Sequence, residues 1–338
     1  MRYWVPHGSH RPKPAWPPPG IARGPAIGFS FGPEPCARRP PYRGQDMRHS
    51  IAPQRSSHRI ARWLSGCALA LGFIAAGAAQ AQALPVSVSA SGNHAEASVS
   101  LPGLPGTVLA EVLLDFEDAS GLSPSSLGAS AKLVSLSDTD LLARLPDADT
   151  TKLQSSLPLL ITLQPPRYGG LSFHGTGRVE VHTHALPYAA GSRLRLFKAP
   201  LGGAFYDITD EIAAGSVRAR GTYGGFSQFL ILLDLRPTDV AIAAKVQRLR
   251  DRVDALPWSE RAAFDALLDD VESALAINDY AAALSAADAV RSRAESRAGS
   301  YLPDEWRATR THHNHAGELA AGAATLRFSI AFARDYGP

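Results

Sequence analysis

Cysteine is almost missing: the 338 residues hold two, Cys36 and Cys67. From residue 84 onward there is none, which excludes a disulfide framework, a thiolate metal site and a cysteine nucleophile from that part of the chain. No apolar run beyond residue 83 reaches the ~18 residues that a membrane-spanning helix needs. Catalytic signatures are lacking too. There is no His-Glu-x-x-His, and no twelve-residue calcium loop with its central glycine. Basic charge is also scarce where it would matter. Residues 84–338 carry 23 Lys and Arg against 29 Asp and Glu, whereas residues 1–83 carry 11 against 2. The formal net charge of +3 therefore hides an acidic body behind a basic leader, and no nucleic-acid partner is expected.

The most informative stretch runs from Arg55 to Ala83. Arg55, His58, Arg59 and Arg62 precede an apolar run from Leu64 to Ala79, which Ala79-Gln80-Ala81 and Ala81-Gln82-Ala83 close. That order of basic, apolar and small-residue segments predicts a secretory signal peptide over 47–83, starting at Met47. Residues 1–46, with eleven prolines and no hydrophobic periodicity, read as a disordered and spurious extension, a pro-region being the alternative. Leu64-Ser65-Gly66-Cys67 has the look of a lipobox, but the apolar stretch follows the cysteine rather than preceding it, so no lipidation is expected. The expectation is a chain exported to the periplasm or beyond.

Residues 84–237 have period two. Val86, Val88 and Ala90 alternate with serines, Ser91-Gly92-Asn93-His94 makes a turn, and Ala95, Ala97, Val99 and Leu101 answer it, which predicts a hairpin. Strands are expected at 108–116, 157–163, 178–184, 193–197, 216–223 and 226–235, with a helical turn near 139–143. Phe229 to Leu233 is apolar on both faces and should be a central strand covered on both sides. After Pro237 the period becomes helical: Ile242, Val246, Leu249, Val253 and Leu256 share a face. A second helix is expected with Phe264, Leu267, Val271 and Leu275 inward, and a third after Asn278 and Asp279. A fourth should start at Pro303-Asp304-Glu305 and carry Leu319, Ala323, Leu326 and Ile330 inward. The fold class expected is α+β: an antiparallel, Ig-like β-sandwich over 84–237, then an antiparallel helical bundle over 238–338. An exposed connection near 236–239 should join them. Charge divides the β region into an acidic part (84–165) and a mildly basic part (166–237), so one or two subdomains fit equally.

Three segments, Arg193-Leu-Arg-Leu-Phe-Lys198, Gly203-Ala-Phe-Tyr-Asp-Ile-Thr209 and Gly224-Gly-Phe-Ser-Gln-Phe229, resemble an uncharacterised family of exported proteobacterial proteins. Asn278-Asp-Tyr280, Ala283-Leu284, Gly299 and Asn314-His-Ala-Gly317 are similar to the helical FIMAH-type module of bacterial extracellular proteins. The first resemblance implies no activity, and the second implies an extracytoplasmic setting.

Candidate chemistry is thin. Ser91-Gly92-Asn93-His94 spells the name of an esterase superfamily, but four contiguous turn residues cannot surround one reacting carbon. His182 and His184 lie two apart on a strand and share a face, the spacing of some zinc sites. His312, His313 and His315 with Glu318 form the densest histidine cluster. Asp138, Asp140, Asp147, Asp149, Glu117 and Asp118 suit turns and caps, with calcium between strands as the alternative. No cofactor is expected; calcium and zinc are the two options these patterns leave open. Arg193, Arg195, Arg218 and Arg220, with Arg178 and Lys198, fall at strand positions that alternation turns outward. With Tyr223 and Tyr206 nearby they suggest a basic stripe for a cell-envelope polysaccharide. The sequence favours a non-catalytic envelope binding or structural protein whose ligand is an anionic glycan. The alternatives are an envelope-polymer hydrolase or lyase, and a metal-dependent adhesion module.

Overall fold

The computed structural model describes residues 82–337 apart from positions 105 and 215. The expected N-terminal extension and nearly all of the expected signal peptide lie outside the described residues.

Alternation and hairpin turns before Pro237 give two sheets in which every pairing is antiparallel. The first runs β1 (Gln82–Leu84), β5 (Ala129–Leu133), β7 (Leu159–Leu163), β13 (Gln228–Asp234), β9 (Leu194–Ala199) and β10 (Tyr206–Asp207), with β6 (Thr151–Leu153) also on β13. The second runs β11 (Thr209–Ala213), β12 (Val217–Tyr223), β8 (Ser172–Thr183), β4 (Val108–Ser120), β3 (His94–Ser100) and β2 (Val86–Ser91), with β14 (Glu305–Arg307) on β8. The expected first hairpin is β2–β3, in register from Val86 opposite Val99 to Ser91 opposite His94. Gly92 supplies the positive φ of 58° that its tight turn demands.

One apolar cluster takes side chains from both sheets, among them Val112, Val179, Val181 and Ala219 from the second and Ile161, Leu196, Phe229 and Ile231 from the first. The first sheet is also covered on its other face. There Leu230 and Leu232 of β13 meet Leu141, Leu145, Phe197 and Phe205. This explains the doubly apolar run at 229–233, each of whose large side chains contributes about 1.5–3 kcal/mol on burial. Two short helices, α1 (Pro124–Leu127) and α2 (Thr139–Leu142), sit between strands, α2 where a helical turn is expected.

Four longer helices follow: α3 (Thr238–Asp254), α4 (Trp258–Ala276), α5 (Tyr280–Arg297) and α6 (His315–Tyr336). Their facing sides form one core that includes Val246, Leu249, Val253, Phe264, Val290, Leu319, Leu326 and Ile330. Asp279 caps α5 by accepting from the Ala282 amide at 3.0 Å, and Asn314 caps α6 from the Gly317 amide at 2.8 Å. Among the described residues no helix is long and apolar enough to cross a membrane.

Two expectations are adjusted. The last helix starts at His315, not at Pro303, and residues 305–307 are instead β14. Trp306 of that strand stacks on Phe173 at 5.5 Å and meets Phe226 edge-on at 4.8 Å, so aromatic burial on β8 outweighs a favourable helix start. On α4 the fully buried stripe is Phe264, Leu268, Val271 and Ala274, and the expected Leu267 and Leu275 pack partly buried against the same core. Glu260 shares that stripe and is held by Arg293, at 3.0 Å, and by Arg297 of α5, which turns this side of the helix inward. Along the connection at 236–239, Pro237 and Asp239 are exposed while Arg236 and Thr238 turn inward. Arg236 binds Asp234 through both guanidinium edges, Arg193 donates to the Arg236 carbonyl at 2.9 Å, and Thr238 is itself buried.

Candidate functional site

The four arginines expected to form a stripe are not brought together. Arg193 immediately precedes β9 and Arg195 lies on it, in the first sheet, whereas Arg218 and Arg220 lie on β12 in the second. Arg195 is buried, 7 % exposed, and its guanidinium lies 4.2 Å from the centroid of Phe332 and 5.2 Å from that of Phe328 on α6. Alternation correctly gave Arg195 the outer face of its strand, but a helix covers that face. The planar guanidinium tolerates this because it stacks on rings and donates to the Ser192 and Leu194 carbonyls, both at 2.7 Å. Burial lowers the pKa of Arg195, against the pull of Asp207 and Asp234.

Arg218 and Arg220 do face outward, but their charge is spent on neighbours. Glu180 accepts from Arg218 at 2.6 Å and from Arg220 at 2.5 Å, and Arg220 also reaches Glu211 at 2.7 Å. Arg178 completes the ladder with Glu211 at 3.1 Å and Asp210 at 3.6 Å. Antiparallel register sets Arg220 opposite Glu180 and Arg218 opposite His182. The histidine pair is similarly engaged. His182 is 8 % exposed, with Nδ1 2.9 Å from Glu111 and Nε2 2.6 Å from Ser216 Oγ, so neither ring nitrogen is free to ligate. His184 is exposed, its ring 4.9 Å from that of His182. Among the described residues no group of three or more His, Cys, Asp or Glu is placed to hold a metal ion. The acidic pairs serve as caps and turns: Asp138 caps α2 through the Leu141 amide at 3.0 Å, and Asp147 accepts from the Asp149 amide at 2.9 Å. Asn93 of the four-residue turn binds β4 on both sides, donating to the Glu117 carbonyl and accepting from the Ala119 amide, each at 3.0 Å. His312 lies outside the helix, and His315 opens it.

The structure instead assembles a cleft where the sheets meet the helices. It is lined by Lys198, Tyr206 and Asp207 of β9 and β10, Thr222 and Tyr223 of β12, Lys245, Arg248 and Arg252 of α3, and Glu318 and Thr325 of α6. Pairing of β9 with β10 sets Lys198 opposite Tyr206, and Lys198 Nζ donates to Tyr206 Oη at 3.0 Å. Lys245, Arg248 and Arg252 are three, four and seven apart, so one stripe of α3 faces the cleft. Glu318, Gly322 and Thr325 do the same on α6. Close approach requires two glycines there. A Cβ on Gly224 would lie 2.5 Å from the Glu318 amide nitrogen, and one on Gly322 would lie 2.7 Å from a Leu249 methyl.

Two cations in the cleft are matched and two are not. Lys245 is buried, 2.8 Å from Asp207 and 2.9 Å from the Thr325 carbonyl to which it donates, and Arg252 meets Glu318 at 2.9 Å. Burial opposes the charge on Asp207, but Lys245 and Arg195 outweigh it and hold its carboxyl below the usual range. Among the described residues neither Lys198 nor Arg248 has a carboxylate within ion-pair distance. The Arg248 guanidinium carbon lies over the Tyr206 ring, 3.3 Å from its centroid. Burial opposes ionisation of Tyr206, yet Lys198 and Arg248 outweigh it and bring its pKa below that of a free tyrosine. Tyr223 is the opposite case. Burial, with a contribution from Asp115, pushes its pKa well up, and its fully buried hydroxyl has no hydrogen-bond partner.

A second, acidic cleft of about 170 Å³ lies beside β8 and α6, where Glu117, Asp118, His174, Glu295 and Asp304 converge. His174 Nδ1 is 3.3 Å from Asp304, and Thr176 donates to Glu117.

Of the residues expected from sequence, Tyr223 lines the basic cleft, as do Lys198 and Tyr206; Arg193, Arg195, Arg218, Arg220, His182 and His184 do not. The basic stripe on α3 went unread because Lys245 interrupts an apolar face. A lysine at a buried helical position was the available signal. The three segments 193–198, 203–209 and 224–229 converge here too, supplying Lys198, Tyr206, Asp207 and Gly224. No curated protein and no solved structure matches the chain. The model described as "Family of unknown function (DUF6689)" matches residues 69–334, most of the sequence, and the chain belongs to that family.

Proposed function

We propose that this chain is an exported, non-catalytic binding protein of the cell envelope that takes an anionic ligand, an acidic glycan, in the cleft between its sheets and its C-terminal helices. One observation carries the reading: four cationic side chains and only two carboxylates line that cleft, and Lys198 and Arg248 have no counter-charge. A cation that is partly withdrawn from water and unpaired is costly unless a ligand supplies the opposite charge. Export rests on the segment 55–83, and a chain without cysteine beyond residue 83 is stable there by core burial alone. The shared core of the two sheets supports an Ig-like sandwich. The short connections between α3, α4 and α5 support an antiparallel bundle of the FIMAH type.

Calorimetric titration of the protein from Gln82 onward with polygalacturonate tests this. Affinity should fall steeply with added salt, since screening acts over ~8 Å at physiological ionic strength. A neutral glucan should not bind. Absence of binding to any acidic glycan at low salt would overturn the proposal.

The hydrolase or lyase alternative finds its carboxylates in the acidic cleft. It ranks second because Glu117, Asp118 and Glu295 are exposed, and burial does not raise the proton affinity of a fully exposed acid. Release of reducing ends or unsaturated products from an acidic glycan, lost in Glu117→Gln, would favour it.

A further inference from the structure

Resting on the proposed binding role, we infer that the basic cleft takes one compact oxyanion, a carboxylate, phosphate or sulfate group, as the end or a side branch of the ligand. Tyr223 Oη and Lys198 Nζ are its inner donors, and Arg248 lies at the rim. Three independent features converge on this.

The first is size. The cleft holds about 40 Å³ of free space, enough for about three waters. A sugar ring does not fit, whereas a group of four or five atoms does, so a polymer is gripped by a charged tip and not along its backbone.

The second is the Tyr223 hydroxyl. It is fully buried and without a partner, which costs about 1–3 kcal/mol unless something accepts from it, and Tyr223 is one of the residues that line the cleft. Its position is enforced. Gly177 of β8 lies so close beneath the ring that a Cβ there would sit 2.6 Å from two ring carbons. The raised pKa keeps this hydroxyl a donor, and a donor suits an anion.

The third is the distribution of charge. Lys198 is buried, with its single hydrogen bond to Tyr206 occupying one of three ammonium donors. Arg248 and Arg252 are half-buried, as expected of groups at the entrance. Asp207 and Glu318 are each already paired, with Lys245 and Arg252. An incoming oxyanion therefore meets unpaired cations first.

The experiment uses sulfate, inorganic phosphate and methyl glucuronate as probes of the three oxyanion sources, read by titration calorimetry and by displacement of polygalacturonate at low salt. At least one should bind and displace the polymer. Tyr223→Phe removes a single oxygen. It should weaken that probe about tenfold or more, the worth of one hydrogen bond to a charged group. Its melting temperature should hold or rise, because it relieves an unsatisfied buried donor. A purely structural tyrosine would not separate the two readouts. Lys198→Met should weaken binding further; should it fail to fold, Tyr223→Phe alone decides. Arg218→Ser should bind as the parent does. The inference is overturned if no compact anion binds or competes, or if Tyr223→Phe binds undiminished. Should polymer binding persist in that case, and respond instead to Arg218 and Arg220, the envelope-binding role stands while the cleft is not its site.

Discussion

Two collections of positive charge on this protein behave differently. On the outer face of the second sheet, Arg178, Arg218 and Arg220 are laced to Glu180, Asp210 and Glu211, and burial of Glu180 is offset by the arginines, which hold its pKa below the usual range. In the cleft, among the described residues, Lys198 and Arg248 lack any such partner, and both lie against Tyr206. Exposed arginines at regular strand spacing drew attention from the sequence, yet antiparallel pairing neutralises them where they stand. Cations set on different elements, drawn together only by folding, are the ones left over. The comparison teaches that charge at the surface is a poor indicator of a ligand, while uncompensated charge in a partly closed site is a good one.

The comparison can be broken at the scale of the whole fold first. Ending the chain at residue 237 removes Lys245, β14 and Asn314, and leaves Asp207 buried without its partner. The fragment 82–237 is expected to show no cooperative thermal transition by circular dichroism, and a sharp melt would mean that the cleft is a contact between two independent bodies. Next in size, Lys245→Met removes the ion-pair partner of the buried Asp207 carboxylate and should cost about 3–5 kcal/mol in urea denaturation. The same pair makes the protein acid-labile. The pKa of Asp207 is depressed by folding, so its contribution is present above the unfolded value near ~3.9 and is lost as pH falls through the lower folded value.

Asn314 joins the regions without charge. It caps α6 and donates to the carbonyls of Gly175, at 2.6 Å, and Gly224, at 3.1 Å. Asn314→Ala should cost about 2–3 kcal/mol, since a cap is lost and one buried and one half-buried carbonyl lose their donor. Within the cleft, sulfate affinity should fall about tenfold, ~1.4 kcal/mol, as pH rises toward the lowered pKa of Tyr206, because the phenolate competes for Lys198 and Arg248. Tyr206→Phe should remove that fall. Sulfate is the probe because it does not itself titrate in this range. The smallest effect is expected on the paired face, where Arg218→Ser should change stability by no more than about 1 kcal/mol and leave anion binding unchanged. A larger loss there would erase the distinction between the two charge sets.

Much of the fold was legible in the sequence because it depends on periodicity. The β2–β3 hairpin, the central position of β13, the inward face of α3 and the inward residues of α6 follow from spacings of two or of three and four. Short strands were not legible. β10 and β14 have two and three residues, too few for a period, and each exists because a neighbouring strand offers an unpaired edge. Nor was the covering of β9 by α6, which turned an outward Arg195 into a buried one.

By itself the sequence determined the compositional split at residue 83, the change from strand to helix at Pro237, and which residues could make a core, since these are properties of neighbouring positions along one chain. Only the tertiary structure decided which charges are neutralised and which remain. Compensation depends on distances between Lys198, Tyr206, Asp207, Tyr223, Lys245 and Arg248, residues on separate strands and a helix whose approach is set by Gly224 and Gly322. Electrostatic interaction falls with distance in space and is insensitive to separation along the chain.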